Sequence, residues 1–292
     1  MNSKQKLFAH LALLSTGILF GINYWVSKNL MGVLPVEALV VFRTLGATTI
    51  FWGFSLIFPR EKIAKKDFLW LALMGIIGIA INQIFFFSGL KLSNPVDVSI
   101  IHVSNPFFVL LLTFIFLKTK IPKVKIIGII IGAVGAIILI VNGGRIGFQH
   151  EYIKGNLFIL INTFAYALYL VMAKPLLKKY SILTIMKWAY LAGSLVVIPY
   201  GLNQSIAVDY QSLTTVSIVS IVYIIVAITF LAYLLSIYAL KRLSPPVVSF
   251  YVYLQPLFAA LIAIILKKEI LNYYQLVAAI FIFVGVYFVS RK

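Results

Sequence analysis

Ten runs of about 20 predominantly apolar residues, the length a helix needs to cross the hydrocarbon core of a bilayer, follow one another along this 292-residue chain. They cover residues 10–29, 36–58, 68–90, 95–117, 124–142, 155–174, 182–202, 215–239, 246–266 and 273–290. Soluble domains average about 45–50% apolar and about 25% charged residues. Here the figures are 62% and 11%, with a mean hydropathy of +1.06. No soluble chain of this size hides so much apolar surface, so lipid has to act as the solvent. In lipid every backbone N–H and C=O must be paired within the protein, which admits helices and closed barrels only. A barrel strand takes about 9–11 residues, half of what each run offers. The expected fold is therefore an all-α integral membrane protein of ten transmembrane helices.

The formal net charge of +18 would suit nucleic acid if it formed an aromatic-basic surface or a tail. Instead the Lys and Arg residues fall in short clusters between the apolar runs, the distribution that orients a membrane protein. With the N-terminus in the cytoplasm, 17 of the 25 basic residues lie in inside segments and 6 in outside ones, while Arg43 and Lys187 lie within spans. This bias predicts a multi-pass protein with both termini cytoplasmic, and hence an even number of spans. Lys4 and Lys6 before an apolar run imitate a signal peptide. The run from His10 to Ser27 is too long for an h-region, contains Asn23 and Trp25, and no small-x-small site follows; an uncleaved first helix is expected. The absence of cysteine excludes disulfides, thiolate catalysis and Cys-ligated zinc. No motif calls for a cofactor.

The two halves repeat. Segment 89–142 aligns with 239–292 at a constant offset of 150 without gaps: Leu90-Lys91 with Leu240-Lys241, Pro95 with Pro245, Val98-Ser99 with Val248-Ser249, Pro106 with Pro256, Phe108 with Phe258, Lys118 with Lys268, and Val134-Gly135 with Val284-Gly285. Residues 1–142 then form a first repeat and 155–292 a second, joined by the loop 143–154 with Gly143, Gly144 and Gly147. Five spans per repeat is an odd number, so the second copy enters the membrane upside down, a plan that recurs in alternating-access transporters.

The chain resembles the drug/metabolite transporter superfamily, in its ten-helix EamA-type exporter branch, over nearly its whole length. The resemblance is carried by Gly21-Ile-Asn-Tyr-Trp-Val-Ser-Lys28, Phe42-Arg43-Thr44, Gly89-Leu90-Lys91, Asn105-Pro106-Phe107 and the Gly128, Gly132, Gly135 helix. The second half repeats it with Ala239-Leu240-Lys241, Gln255-Pro256-Leu257, Lys268-Glu269 and Gly285-Val286. It departs where Thr119 stands at the place of the glutamate that Glu269 supplies in the second half. The resemblance implies two inverted five-helix repeats around a central cavity, a bacterial or archaeal plasma (inner) membrane, and export of amino acids or related small compounds.

Several residues could carry that function. Pro106 and Pro256 fall near the middle of spans four and nine, each after a side-chain amide, Asn105 or Gln255. A mid-helix proline removes one backbone hydrogen bond, which would leave the carbonyls of His102 and Val252 available. Paired helix breaks in corresponding halves point to a binding site; a packing kink is the competing reading. Arg43 lies about 10 Å inside its helix, where insertion costs about 2.5–3.5 kcal/mol. Three roles are open to it: an ion pair with Asp97, a contact with a substrate carboxylate, or snorkelling to the headgroups. Asn23, Asn82, Phe86, His102 and Asn162 are further candidates for a substrate-binding set. Tyr166 and Tyr169 share a face with Asn162, and Tyr251 shares one with Gln255. His102 either titrates during a cycle or is a satisfied core histidine. Gly17-x-x-x-Gly21 and Gly128-x-x-x-Gly132 are read as close helix contacts.

A cavity of aromatics, amides and one Arg suits an uncharged or zwitterionic compound with an apolar part. With no G-x-x-x-x-G-K-[ST] loop, the chain does not power itself with ATP; facilitated diffusion and proton antiport through Asp97 or His102 are the open coupling modes. A membrane-embedded lipid-modifying enzyme would need clustered carboxylates or histidines, whereas the seven acidic residues are scattered. A sugar-nucleotide or phosphate carrier would need clustered cations in the spans, and a lipid carrier leaves no positive mark.

Overall fold

The computed structural model describes residues 3–93, 98, 101–142, 153–255, 257–258, 261 and 273–290. Asp97, Pro256 and Glu269 lie outside them, as do parts of the expected spans 95–117 and 246–266. Among the described residues all regular structure is helical: α1 Ser3–Met31, α2 Val36–Ser55, α3 Lys65–Leu92, α4 Asn105–Leu117, α5 Lys123–Asn142, α6 Ile153–Leu176, α7 Ile182–Ile206, α8 Thr215–Arg242, α9 Pro245–Phe250 and α10 Tyr273–Ser290, plus short 3₁₀ turns. Six are long and apolar enough to cross a membrane: α2, α3, α6, α7, α8 and the Lys4–Asn23 part of α1. Large apolar side chains stay exposed around the bundle, among them Phe114, Leu195, Val219, Ile280 and Phe283. Lipid is the medium in which such a surface costs nothing.

Two helices are not uniformly α. α3 runs through a π segment at Ile76–Ile81 and α8 through one at Ile224–Ala232. Adding the repeat offset of 150 to the first gives 226–231, inside the second. A π turn takes up an extra residue, which turns every later side chain by about 100° relative to an unbroken helix. Asn82 and Gln83 follow the first π segment, and Tyr233 follows the second.

The break before Pro106 differs from the one expected. Pro106 does not interrupt a helix; it occupies the first turn of α4, behind a turn at Val103–Ser104. Proline is tolerated there because that turn's N–H groups have no intrahelical acceptor. At this break the Val103 carbonyl accepts from the Tyr253 hydroxyl at 3.0 Å and the Ile101 carbonyl from the Ser104 hydroxyl at 2.6 Å. In the second half the chain tightens from α9 into a 3₁₀ turn at Tyr251–Tyr253, and the Leu254 N–H takes up the carbonyls of Tyr251 and Val252.

Glycine contacts hold the helices close. A Cβ added at Gly135 would lie 2.8 Å from the Ala278 oxygen and 3.0 Å from the Ile282 nitrogen. One added at Gly285 would lie 2.8 Å from the Gly128 oxygen and 2.9 Å from the Gly132 nitrogen. Residues 128 and 278, 132 and 282, and 135 and 285 are repeat mates, so the α5–α10 contact maps onto itself when mates are exchanged. Gly128 and Gly132 thus pack as their spacing suggests, and Gly17 packs against Phe258. Between α2 and α7 the Thr48 and Ser194 hydroxyls are 2.7 Å apart, so one of them donates across the gap while the other donates to the carbonyl four residues back, Thr44 or Tyr190. Lys187 is buried, with Nζ 5.2 Å from the Trp52 ring.

Polar stitches gather where α2 and α6 end. Lys179 Nζ contacts both Asp67 oxygens at 2.9 and 3.0 Å, the Tyr180 hydroxyl donates to Asp67 at 2.8 Å, and the Ala64 N–H donates to Tyr180 at 3.2 Å. Lys174 Nζ caps the end of α8 by donating to the carbonyls of Leu240 and Leu243 at 2.5 and 2.6 Å, the charge a helix C-terminus favours. Glu61 accepts from the Ser181 N–H and hydroxyl at 3.0 and 3.1 Å. Partial desolvation pushes the Glu61 carboxyl up, but hydrogen bonds from Ser181 and Thr184 outweigh it and hold the group below its ordinary 4.5. A depressed carboxyl contributes stability above its unfolded pKa and loses it as pH falls. Glu61→Gln is therefore expected to lower Tm slightly at pH 7, the contact being exposed, and to match the parent once the pH is well below 4.5. Paired melts across that window check this.

Candidate functional site

A cavity of about 90 Å³ opens among α1, α2, α3, α4, α6, α8 and the segment after α9. Its wall is formed by Phe20 and Asn23 from α1, Arg43 from α2, Asn82, Gln83 and Phe86 from α3, His102 and Asn105 at the Pro106 break, Asn162, Thr163 and Tyr166 from α6, Tyr233 from α8, and Val252 and Gln255. Two pairs in this wall are repeat mates: His102 with Val252, and Asn105 with Gln255. Both halves therefore contribute equivalent positions to one space.

The amides are locked by the backbone. Asn82 Nδ2 donates to the Asn162 carbonyl at 3.2 Å and Asn162 Nδ2 returns a bond to the Asn82 carbonyl at 2.8 Å. A carbonyl only accepts, so these two bonds set both amides. Asn82 Oδ1 is left to accept from the Tyr233 hydroxyl at 3.2 Å. Asn162 Oδ1 faces His102 Nε2 at 3.1 Å, so Nε2 carries the proton. The imidazole also stacks on Phe86, with ring centroids 5.9 Å apart and planes at 15°. Asn105 Nδ2 donates to the Thr163 carbonyl at 3.2 Å. Among the described residues two buried side-chain atoms of the wall residues, Gln83 Nε2 and Asn105 Oδ1, have no hydrogen-bond partner and are covered by neighbouring atoms. Thr44 donates to the other end of the Gln83 amide at 3.1 Å.

Arg43 is only 4% exposed and is the one permanently charged group among the described wall residues. Its Nε donates to Thr229 Oγ1 at 3.1 Å, and its guanidinium lies 5.0 Å from the Phe87 ring centroid. Thr229 is fixed in turn by a bond to the Ile224 carbonyl at 2.7 Å, five residues back in the π segment, and its own carbonyl accepts from the Tyr190 hydroxyl at 2.9 Å. Among the described residues no carboxylate pairs with Arg43; Asp97 lies outside them. Arg43 does not snorkel.

Of the candidate set, Asn23, Arg43, Asn82, Phe86, His102, Asn105, Asn162, Tyr166 and Gln255 meet at this cavity. Tyr169 and Tyr251 do not line it. The Tyr169 hydroxyl turns to Met186 Sδ at 3.4 Å while its ring closes on Gly78. Tyr251 bonds His10 Nδ1 at 2.7 Å, because the 3₁₀ turn at 251–253 advances about 120° per residue and carries it off the face of Gln255. Phe20, Gln83, Thr163, Tyr233 and Val252 were absent from that set. The repeat offset could have found one of them, since Val252 is the mate of His102.

The EamA-like transporter family matches the chain over residues 7–141 and again over 153–291. Among curated proteins it is similar to an uncharacterized transporter of Archaeoglobus fulgidus, 25% identical with 100% of this chain and 99% of that protein covered. It is also similar to the uncharacterized transporter YetK of Bacillus subtilis, 25% identical over 91% and 82%, and to a WAT1-related protein of Arabidopsis thaliana, 28% identical over 59% and 48%. A solved crystal structure with 16% identity, covering 99% of both chains, shares the fold with a TM-score of 0.80.

Proposed function

The chain belongs to the EamA-like transporter family and is a membrane transporter; on that premise we propose that it is a secondary carrier exporting small metabolites, amino acids or related amphipathic compounds, by alternating access. The halves 1–142 and 155–292 are inverted five-helix repeats linked by 143–154, all ten apolar runs cross the plasma (inner) membrane, and both termini are cytoplasmic. The described cavity is the substrate site, with Asn23, Arg43, Asn82, Phe86, His102, Asn105, Asn162, Tyr166 and Gln255 in contact with substrate.

The observation that carries this reading is the composition of the wall, in which repeat mates from both halves face one space around a single buried cation. A space shared by mates changes its access when one half rocks against the other. The inverted arrangement draws support from the α5–α10 contact that maps onto itself and from the bond between the mates Val103 and Tyr253. Contacts between mates are what a twofold axis relating the halves would produce. The amino-acid class draws support from Arg43, a cation suited to a carboxylate, set among aromatic and amide groups suited to the rest of the molecule.

Counterflow in proteoliposomes tests this. Vesicles loaded with an unlabelled apolar amino acid should accumulate the labelled compound saturably, and Gln255→Ala should weaken the exchange about tenfold, the loss expected for one substrate hydrogen bond. Folded protein that exchanges no amino acid would overturn the substrate class and move sugars, nucleosides and lipids to the front.

A further inference from the structure

We propose that the corner between α2 and α7 binds one anionic phospholipid, with Lys187 as the cation that meets its phosphate; this rests on the α2–α3 loop facing the cytoplasm, not on which solute is carried. Lys187 is the sixth residue of α7, is only 9% exposed and lies outside the cavity wall. Its Nζ stands 5.2 Å from the Trp52 ring, an attraction between a cation and the negative face of an indole. Trp52 Nε1 in turn donates to the Lys187 carbonyl at 3.2 Å, which fixes the ring beside it. The ring contact uses none of the three N–H donors of an ammonium. Among the described residues the Lys187 side chain makes neither a hydrogen bond nor an ion pair. The acids of this corner are committed elsewhere, Glu61 to Ser181 and Asp67 to Lys179 and Tyr180. Yet Nζ is not covered over, as Gln83 Nε2 and Asn105 Oδ1 are. A charge taken out of water without a partner is costly, so an ammonium with an open tip calls for an anion from outside the chain.

The surroundings decide which anion. Trp52 meets Trp188 edge-on at 5.2 Å, and Trp188 meets Phe68 at 5.1 Å, a row of rings running from α2 over α7 to α3. Tryptophan gathers at the level where lipid headgroups begin. Beyond the end of α2, Leu56, Ile57 and Phe58 are exposed, and within a few residues Arg60, Lys62, Lys65 and Lys66 are exposed as well. Glu61 ties this loop to Ser181 at the start of α7. A helical side chain leans toward the N-terminus of its helix, so Lys187 reaches toward that loop. Apolar side chains giving way to cations over one short stretch fit a molecule that changes from acyl chain to phosphate over the same span. A free phosphate would leave the apolar rim unused. A zwitterionic lipid carries its own ammonium, which competes with Lys187 for the phosphate. Basic clusters beside a membrane helix attract anionic lipids of the cytoplasmic leaflet, and Lys187 adds to that diffuse attraction one fixed, largely desolvated contact.

The test uses the full-length protein, delipidated in detergent and titrated in volatile salt of about 0.3 M, where exposed charges are screened. The probes are dioleoyl-phosphatidylglycerol, dioleoyl-phosphatidylcholine and glycerol 3-phosphate, the last a phosphate without chains, and native mass spectrometry counts the molecules bound. The parent is expected to hold one phosphatidylglycerol about tenfold more tightly than phosphatidylcholine, the ratio given by one charged hydrogen bond, and to retain no glycerol 3-phosphate. Lys187→Met keeps an unbranched stem beside Trp52 and is expected to bring phosphatidylglycerol down to the level of phosphatidylcholine. Lys66→Met, which removes an exposed charge, is expected to weaken it by less than about threefold. Equal binding of the two lipids by the parent would overturn the site whether or not any variant folds. A folded Lys187→Met protein that keeps the preference would remove Lys187 from it, and an equal loss in Lys66→Met would replace the site by diffuse attraction. Glycerol 3-phosphate held as tightly as phosphatidylglycerol would make it a site for a free anion and overturn the lipid.

Discussion

Replacing Arg43 by glutamine is expected to lower amino-acid exchange by about 100-fold at subsaturating substrate while leaving the melting temperature unchanged or raised. The two halves of that expectation have separate physical origins. A hydrogen bond to a charged group contributes about 1.5–3 kcal/mol, and a carboxylate held by both arms of the guanidinium fork makes two of them. Losing part of that sum is worth about two powers of ten. Stability responds otherwise. A buried guanidinium costs about 2.5–3.5 kcal/mol on insertion scales, and among the described residues it recovers one hydrogen bond to Thr229 and a contact with Phe87. A neutral amide of similar reach removes the cost and can keep the Thr229 bond. Arg43→Lys is expected to fall between, since an ammonium keeps the charge but not the fork. The measurement is initial counterflow rate together with detergent melts on the same preparations. An unchanged rate would remove Arg43 from the site; a collapsed melt with a lost rate would make it a structural residue.

How far such a site can be read from the sequence depends on what each residue's placement relies on. Arg43 was legible because a cation seven residues inside an apolar run is expensive, whatever its neighbours are. Asn105 and Gln255 were legible because repetition at an offset of 150 puts an amide before proline twice, and both now face one cavity. The π segments were not legible. Ile76-Ile77-Gly78-Ile79-Ala80-Ile81 is apolar throughout, so an added residue in the turn moves no polar marker out of register, and nothing in the pattern reports it. That same turn decides which faces of Asn82 and Gln83 meet the cavity. Tyr251 was misplaced for a related reason: four residues before Gln255 is the same face only on an α-helix, and the chain is 3₁₀ there. Pro106 is expected to break the middle of a span, but it begins a helix, which a sequence of apolar residues on either side does not distinguish.

Gly75→Leu is expected to prevent the protein from accumulating in folded form, and Gly75→Ala to destabilise it by more than about 3 kcal/mol, beyond the usual cost of overpacking. A Cβ at Gly75 would lie 2.1 Å from the Ala189 carbonyl oxygen and 2.8 Å from its carbon. Those are backbone atoms of a fully buried residue in α7, so no rotamer change can relieve the clash and the helices themselves have to part. They cannot part locally. A Cβ added at Gly193, one turn along α7, would lie 2.8 Å from the Ile79 Cβ and 3.1 Å from the Gly75 carbonyl oxygen, and the Thr48–Ser194 bond ties the same stretch to α2. Gly53 supplies the control, because a Cβ there meets nothing within 4 Å. Gly53→Ala is expected to be neutral or to stabilise by up to about 1 kcal/mol through helix propensity. Size-exclusion profiles and melts of the three variants decide the matter; a Gly75→Ala protein as stable as the parent would mean that α3 and α7 do not approach this closely. The consequence reaches the site. Gly75 is the last residue before the π segment of α3, so the crossing that demands a glycine is also the one that anchors the turn presenting Asn82 and Gln83. An increment of separation here would be felt first as loss of the reciprocal Asn82–Asn162 bonds, and with them the fixed position of His102.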